Sequence, residues 1–290
     1  MALTDEEIAG LEKRAEEIRE TIIKMLVNAG SGHTAGPLGM ADIFAALYFR
    51  ILAHRPEQPK WEERDRLILS NGHIAPVLYA TMAHAGYFPV EECLTLRKFG
   101  SRLQGHPERP RLPGLETTSG PLGEGLSQAA GMAYAFKNLQ SASNELHPRI
   151  YCMMSDGEQQ EGNTWEAAMF AGKNRLAGLT AIMDRNNIQI DGMTEDVMPL
   201  EPLADKYRAF NWHVLETNGN DIPAFVGAVE EAKAIFEKPT LIIAHTIPGR
   251  GVPEIESDYH WHGKPPTKEE GERFLKQIRT MGGKVPHEYA

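Results

Sequence analysis

Cysteine is nearly absent from this 290-residue chain. Cys93 and Cys152 are too few and too far apart for a disulfide framework or a cysteine-rich zinc site. Cys152 lies inside an apolar strand pattern and reads as a plain core thiol. Basic charge is in short supply as well: 30 Lys and Arg against 40 Asp and Glu leave a formal charge of -10. That balance argues against a general affinity for nucleic acid or anionic membranes. No apolar run approaches the ~20 residues of a membrane-spanning helix. The acidic opening Thr4-Asp5-Glu6-Glu7 lacks the basic-then-apolar order of a secretory signal. A cytoplasmic protein with no nucleic-acid or membrane partner is expected. Internal repeats, low-complexity tracts and linkers are also missing, so residues 1–290 read as one domain. With 41% hydrophobic and 24% charged residues, the chain can bury a substantial core.

Thr4 followed by Glu7 reads as a capping box. Ile8, Leu11, Ala15, Ile18, Ile22 and Met25 recur at helical spacing, so a long amphipathic helix opens the chain and stops at Gly30-Ser31-Gly32. Beyond it, short apolar runs alternate with helical patterns, as in an α/β fold with a mostly parallel central sheet and helices on both faces. Strands are expected at 67–69, 150–154, 179–183, 214–216 and 241–244. Such sheets place ligands at the C-terminal edge of their strands. Residues 99–125, rich in Gly, Pro, Arg and His, are too long for a simple connector and read as a functional segment.

Two polar stretches stand at strand ends: Ser155-Asp156-Gly157-Glu158 and Arg185-Asn186-Asn187-Ile188. A helical pattern over 163–173 separates them, which makes the two loops neighbours on one sheet edge. A carboxylate from Asp156, an amide oxygen from Asn186 and a nearby carbonyl suit Mg²⁺ or Ca²⁺, with positions left for phosphate oxygens. Gly157 allows the backbone to approach a diphosphate. The plain alternative is two polar turns capping two helices, because Asp-Gly and Asn-Asn turns are common. His33, His73, His106 and His262 each sit beside Gly or Pro in loop-like contexts. Imidazoles titrate near neutrality and both donate and accept, which suits proton transfer.

Several other features carry less. His260 and His262 flank Trp261 without a third ligand at useful spacing, so zinc is not expected. The glycines of 120–125 do not follow the dinucleotide fingerprint. Lys137, Lys173 and Lys233 read as solvated charges, and Trp165 and Phe170 with Ala167, Ala168 and Ala171 as packing, with a subunit interface as the alternative.

The stretch from Asp156 to Asn187 resembles the Gly-Asp-Gly and Asn-Asn motif of thiamine-diphosphate enzymes, with Ser155 standing where the family has its first glycine. Further stretches narrow the resemblance to the transketolases. They are Ser31-Gly32-His33, Gly36-Pro37-Leu38-Gly39, Leu69-Ser70-Asn71-Gly72-His73, Gly105-His106-Pro107-Glu108, Thr117 to Gly125, Glu158 to Glu166, Ile188-Gln189-Ile190-Asp191-Gly192 and His262-Gly263. The resemblance implies a thiamine-diphosphate-binding fold in which Asp156, Asn186 and the Ile188 carbonyl hold Mg²⁺ (Ca²⁺ or Mn²⁺ as substitutes). It implies that Gly157, His73 and His262 contact the cofactor diphosphate and that Gly120 and Leu122 lie beside its rings. His33, His106 and His262 are then the catalytic, sugar-facing residues, and Glu161 belongs to a network linking paired sites.

Complete transketolases resemble this chain only over their first half. The resemblance therefore implies an amino-terminal subunit of a split enzyme, with a carboxy-terminal partner that carries the pyrimidine-binding domain and an α2β2 assembly. The implied reaction moves a two-carbon ketol unit from a ketose, in phosphorylated form, to an aldose. Two alternatives are a related thiamine-diphosphate synthase or dehydrogenase component, against which the histidine set argues, and a non-catalytic homologue, against which Asp156 and Asn186 argue.

Overall fold

Thr4 and Glu7 close the expected box at the start of the computed structural model, which describes residues 3–140 and 148–281. The Thr4 hydroxyl accepts from Glu7 N at 3.3 Å and the Glu7 carboxylate accepts from Thr4 N at 2.8 Å. These bonds satisfy donors that a helix start leaves open. Helix α1 (Asp5–Ala29) ends at Gly30, whose φ of 63° lets its N–H cap the Leu26 carbonyl. There follow α2 (Ala35–Gly39), α3 (Ala41–Ala46), β1 (Arg66–Leu69), α4 (Ala75–His84), α5 (Glu124–Gln140) and β2 (Ile150–Ser155). Next come α6 (Gly162–Lys173), β3 (Leu179–Arg185), β4 (Ile188–Gln189), β5 (Gly192–Met193), α7 (Thr194–Val197) and α8 (Leu203–Ala209). The last elements are β6 (His213–Asn218), α9 (Ile222–Lys233), β7 (Thr240–His245) and α10 (Lys268–Met281).

Five strands form a sheet in the order β1-β2-β3-β7-β6, and every neighbouring pair is parallel. All five are the strands that the sequence pattern suggests, extended by one or more residues. The extension matters at β3, where pairing with β7 continues to Arg185 opposite His245. Arg185 is thus a strand residue rather than the first residue of the loop. The antiparallel β4–β5 hairpin was not foreseen, because two-residue strands leave no periodicity to detect.

Alternation along each strand divides the core into two layers. Tyr151, Met153, Ile182 and Ile242 pack toward α1, α3, α4 and α9. Ile150, Cys152, Met154, Ala181, Met183 and Leu241 pack toward α5, α6 and α8. Cys152 is fully buried, and burial pushes its thiol well above its ordinary range, in keeping with an inert core residue. Residues 96–123 contain neither helix nor strand, as expected. Among the described residues no helix is long and apolar enough to cross a membrane.

Two expectations need correction. Lys137 is more than a solvated charge: its ammonium donates to the Asn174 carbonyl at 2.6 Å, just past the end of α6, where exposed carbonyls attract a cation. Phe170 is not core packing, since it is 43% exposed and meets the similarly exposed Tyr134 in a tilted ring contact, while Trp165 does pack on Tyr207 and Phe210.

Helix α6 sits very close to the turn after α8. A Cβ on Gly172 would collide with the Phe210 carbonyl oxygen, and Trp212 fixes the approach by donating to the Ala168 carbonyl at 2.9 Å. Gly172→Ala is expected to destabilise the fold by about 1–3 kcal/mol through overpacking, read as a lower urea midpoint. An unchanged midpoint would mean that α6 moves away freely.

Candidate active site

Because the strands are parallel, the residues that follow β1, β2, β3 and β7 all emerge at one edge. Ser155 closes β2 in register with Asp184, and its N–H donates to Glu158 Oε2 at 3.0 Å. Its backbone is not left-handed, so a serine serves where the family motif has glycine.

Asp156 follows and is 1% exposed. Its Oδ1 accepts from Gly157 N at 2.7 Å, and its Oδ2 accepts from Asn187 N at 2.8 Å, Arg185 Nη1 at 3.1 Å and Thr194 Oγ1 at 3.3 Å. Burial pushes the Asp156 carboxyl up, opposed by the Arg185 guanidinium and these N–H donors. Asn187 has a φ of 63°, a conformation Asn tolerates, which turns its N–H back onto Asp156. Asn186 bridges its own loop: its Oδ1 accepts from Ile188 N at 3.0 Å and its Nδ2 donates to Asp184 Oδ2 at 2.7 Å. The two expected loops therefore meet directly. Asp184, which the sequence reading treated as a strand end, is buried beneath them and accepts from the Thr246 hydroxyl. Burial raises its carboxyl to about 7, and the nearby Asp156 charge adds to the rise.

The histidines come together from distant loops. His33 follows α1, His73 follows β1 and His262 follows a short turn at Tyr259–Trp261. Their ring centroids are 5.0 Å (His33–His73), 5.5 Å (His33–His262) and 5.2 Å (His73–His262) apart. Burial lowers His33 to about 4, helped by His262, Arg97 and His106. Burial also holds His73 well below its usual value and lowers His262. All three are neutral near pH 7. His106 is lowered by burial and then by Arg97; it lies beside Gly120, where an added Cβ would sit 3.8 Å from its ring. His260 takes no part: it is 68% exposed and pairs with Asp258 at 2.7 Å.

Gly120 is half-buried, Leu122 is 36% exposed, and Glu161 is exposed at the cap of α6. Gly123 requires glycine, because its φ is 84° and a Cβ would meet that of Glu161 at 2.8 Å. Around this edge, His33 Nδ1, His262 Nδ1, both amide atoms of Asn71, Ser119 Oγ and Gln189 Nε2 are buried without a hydrogen-bond partner. Each such atom costs about 1–3 kcal/mol, so their gathering at one edge marks a site that a polar ligand completes. Imidazole, amide and hydroxyl donors suit phosphate oxygens. Among the described residues no three His, Cys, Asp or Glu side chains converge as a metal site, so a cation here would need amide and backbone oxygens beside the Asp156 carboxylate. That mixed oxygen set fits a hard cation shared with a diphosphate. A cavity of about 680 Å³ opens elsewhere, beside Lys137, Arg149 and Phe236, and contains none of these groups. Asn71, Ser119 and Gln189 lay inside motifs noted in the sequence, but a polar loop residue carries no spacing signal that separates it from a surface turn.

A fold and edge of this kind define a thiamine-diphosphate-binding α/β domain. Residues 11–288 match the family model described as transketolase, thiamine diphosphate binding domain. The chain is 42% identical over 272 residues to the 6-deoxy-6-sulfo-D-fructose transketolase subunit SqwG of Clostridium sp. (strain MSTE9), covering 94% of this chain and 97% of that one. It is 38% identical to an apulose-4-phosphate transketolase subunit of Phocaeicola vulgatus, covering 94% and 95%. The solved transketolase from Leishmania mexicana superposes with a TM-score of 0.88 at 34% identity over 96% of this chain but 42% of its own. The chain belongs to the transketolase family.

The half-buried histidines bear on stability in acid. Above the ordinary value near 6.5, His33 is neutral in both folded and unfolded states; between 6.5 and about 4 only the unfolded chain takes up the proton. Its contribution to stability is therefore intact above 6.5 and is lost as pH falls toward 4. His33→Gln is expected to lose less stability than the wild type between neutral pH and the acid end of that window, compared by urea midpoints at each pH. Parallel losses in the two proteins would show that His33 is not held neutral by burial.

Proposed function

We propose that this chain is the thiamine-diphosphate- and metal-binding subunit of a two-subunit transketolase. The observation that carries the reading is the gathering of three half-buried, neutral imidazoles at the sheet edge where the Asp156 and Asn186 loops join. Two relatives named as transketolase subunits, matched over nearly their whole lengths, support a division into subunits. Residues 1–290 then form one cofactor-binding domain. A carboxy-terminal partner supplies the pyrimidine-binding domain in a cytoplasmic α2β2 assembly.

In this reading Asp156, Asn186 and the Ile188 carbonyl hold Mg²⁺, and Gly157, His73 and His262 meet the diphosphate. Gly120 and Leu122 flank the cofactor rings, and Glu161 links paired sites. When bound, thiamine diphosphate supplies a nucleophilic carbon and an electron sink for cleaving the bond beside a ketose carbonyl. The chain's own part is to hold and move protons. His33, His106 and His262, whose rings are shifted toward the neutral form, offer nitrogens that take a proton from a sugar hydroxyl and return it. The relatives' names pair this chemistry with a sulfonated and a phosphorylated sugar, so sugars with an anionic end group are the proposed substrates, pentose phosphates first.

The direct assay is ketol transfer from xylulose 5-phosphate to ribose 5-phosphate with thiamine diphosphate and Mg²⁺. Activity is expected only when the chain is mixed with its partner subunit; activity of the chain alone would refute the division. Asp156→Ala removes the one charged ligand of the set, while Arg185 keeps Glu195 and Glu201 as partners. Calorimetric titration with thiamine diphosphate and Mg²⁺ is expected to show affinity reduced by about a hundredfold or more, as loss of a charged ligand implies. Unchanged affinity would take Asp156 out of the metal set.

A further inference from the structure

Glu158 lies two residues beyond Asp156 and is 1% exposed, yet none of the roles above uses it. Its Oε1 accepts from the Ser70 hydroxyl and from Gly123 N at 2.7 Å, and its Oε2 accepts from Ser155 N at 3.0 Å. Ser70 Oγ in turn accepts from Gly125 N at 3.0 Å. The partners thus come from three separate places: the loop after β1, the end of β2 and the start of α5. These segments lead respectively to His73, to Asp156 and to the stretch carrying Gly120 and Leu122.

The chemistry calls for a carboxylate. Two of its three donors are main-chain N–H groups that cannot rotate away, so both oxygens must be acceptors, which an ionised carboxylate is and an amide is not. Gly123 and Gly125 bracket the first residue of α5, where unpaired N–H groups and the helix dipole favour a negative charge. The approach is close enough to demand glycine: a Cβ on Gly125 would collide with that of Ser70.

We propose that Glu158 is a positioning residue, whose buried carboxylate clamps residues 119–125 against the ends of β1 and β2 and so fixes the wall formed by Gly120 and Leu122. The proposal rests on the thiamine-diphosphate reading of the site and adds to it a residue that touches neither cofactor nor metal. Its role is geometric: with the clamp in place the loop meets the cofactor preformed, and without it binding must also order the loop.

The test compares the full-length wild type with Glu158→Gln and Ser70→Ala, each mixed with the partner subunit. Thiamine diphosphate with Mg²⁺ is titrated by calorimetry, and backbone amide exchange is followed at Gly123 and Gly125. Glu158→Gln is expected to weaken binding by about tenfold or more, the worth of a hydrogen bond to a charged group, and to speed exchange at both amides. Ser70→Ala leaves the charge in place and is expected to shift both readings the same way but less; it decides the matter alone if Glu158→Gln fails to fold. A lower melting temperature with unchanged affinity would reduce Glu158 to a structural role and overturn the proposal. A wild-type complex with the partner subunit that binds no thiamine diphosphate would overturn the reading of the site and this proposal together.

Discussion

The site depends on the parallel pairing of β2 with β3. Register places Ser155, the last residue of β2, opposite Asp184, and β3 runs one residue further, to Arg185, before its own loop begins. Asp156 and Asn187 can then bond across the gap, with Asn187 N 2.8 Å from Asp156 Oδ2. A one-residue slip would exchange the faces of every side chain on the strand and carry Cys152 and Met154 from one core layer to the other. Because both layers are dry and closely packed, that slip is prohibitively unfavourable, and the loop geometry inherits the precision of the core. The histidines obey the same constraint less directly, since His73 follows β1, which is itself registered on β2.

The fold was legible because it is written in periodicity. Short runs of three to five residues, separated by helical patterns, located all five sheet strands, which span four to seven residues in the structure. The first helix declared both its ends, through Thr4 with Glu7 and through Gly30. The short hairpin and α7 were not legible, because elements of two to four residues are held by their surroundings rather than by any internal pattern. At the edge itself, glycine, histidine and paired polar residues in loop contexts pointed to His33, His73, His106, His262, Asp156 and Asn186. The supporting residues did not stand out. Asp184, Arg185, Ser70 and Glu158 owe their meaning to partners distant in sequence, such as Thr246 for Asp184 and Gly123 for Glu158. Phe170 misled for a related reason: an aromatic among alanines on a helix reads as core whichever way the helix is turned.

The edge sorts its ionisable groups into two kinds. Carboxylates are held with donors around them: Asp156 by Arg185 and main-chain N–H groups, Glu158 by Ser70 and two N–H groups. Imidazoles are instead gathered with one another, so that burial and mutual repulsion keep them uncharged. A protonated cluster beside Arg97 would add positive charge where phosphate is expected, but it would leave no nitrogen lone pair to accept a proton. Neutrality gives up some attraction for an anion and retains the capacity to move protons at neutral pH.

That arrangement makes demands on stability. Asn71, Ser119, Gln189, His33 and His262 hold buried polar atoms without partners, each of which disfavours the folded state. The penalty is tolerable because the edge stands on a sheet covered on both faces, whose strands β2 and β3 are almost wholly buried. A ligand that satisfies those atoms binds the folded chain alone and therefore stabilises it by mass action, in proportion to its concentration over its dissociation constant. The same unpaired groups that weaken the empty edge are thus the source of its affinity. Filling them with protein partners would give a more stable fold with nothing left to recognise.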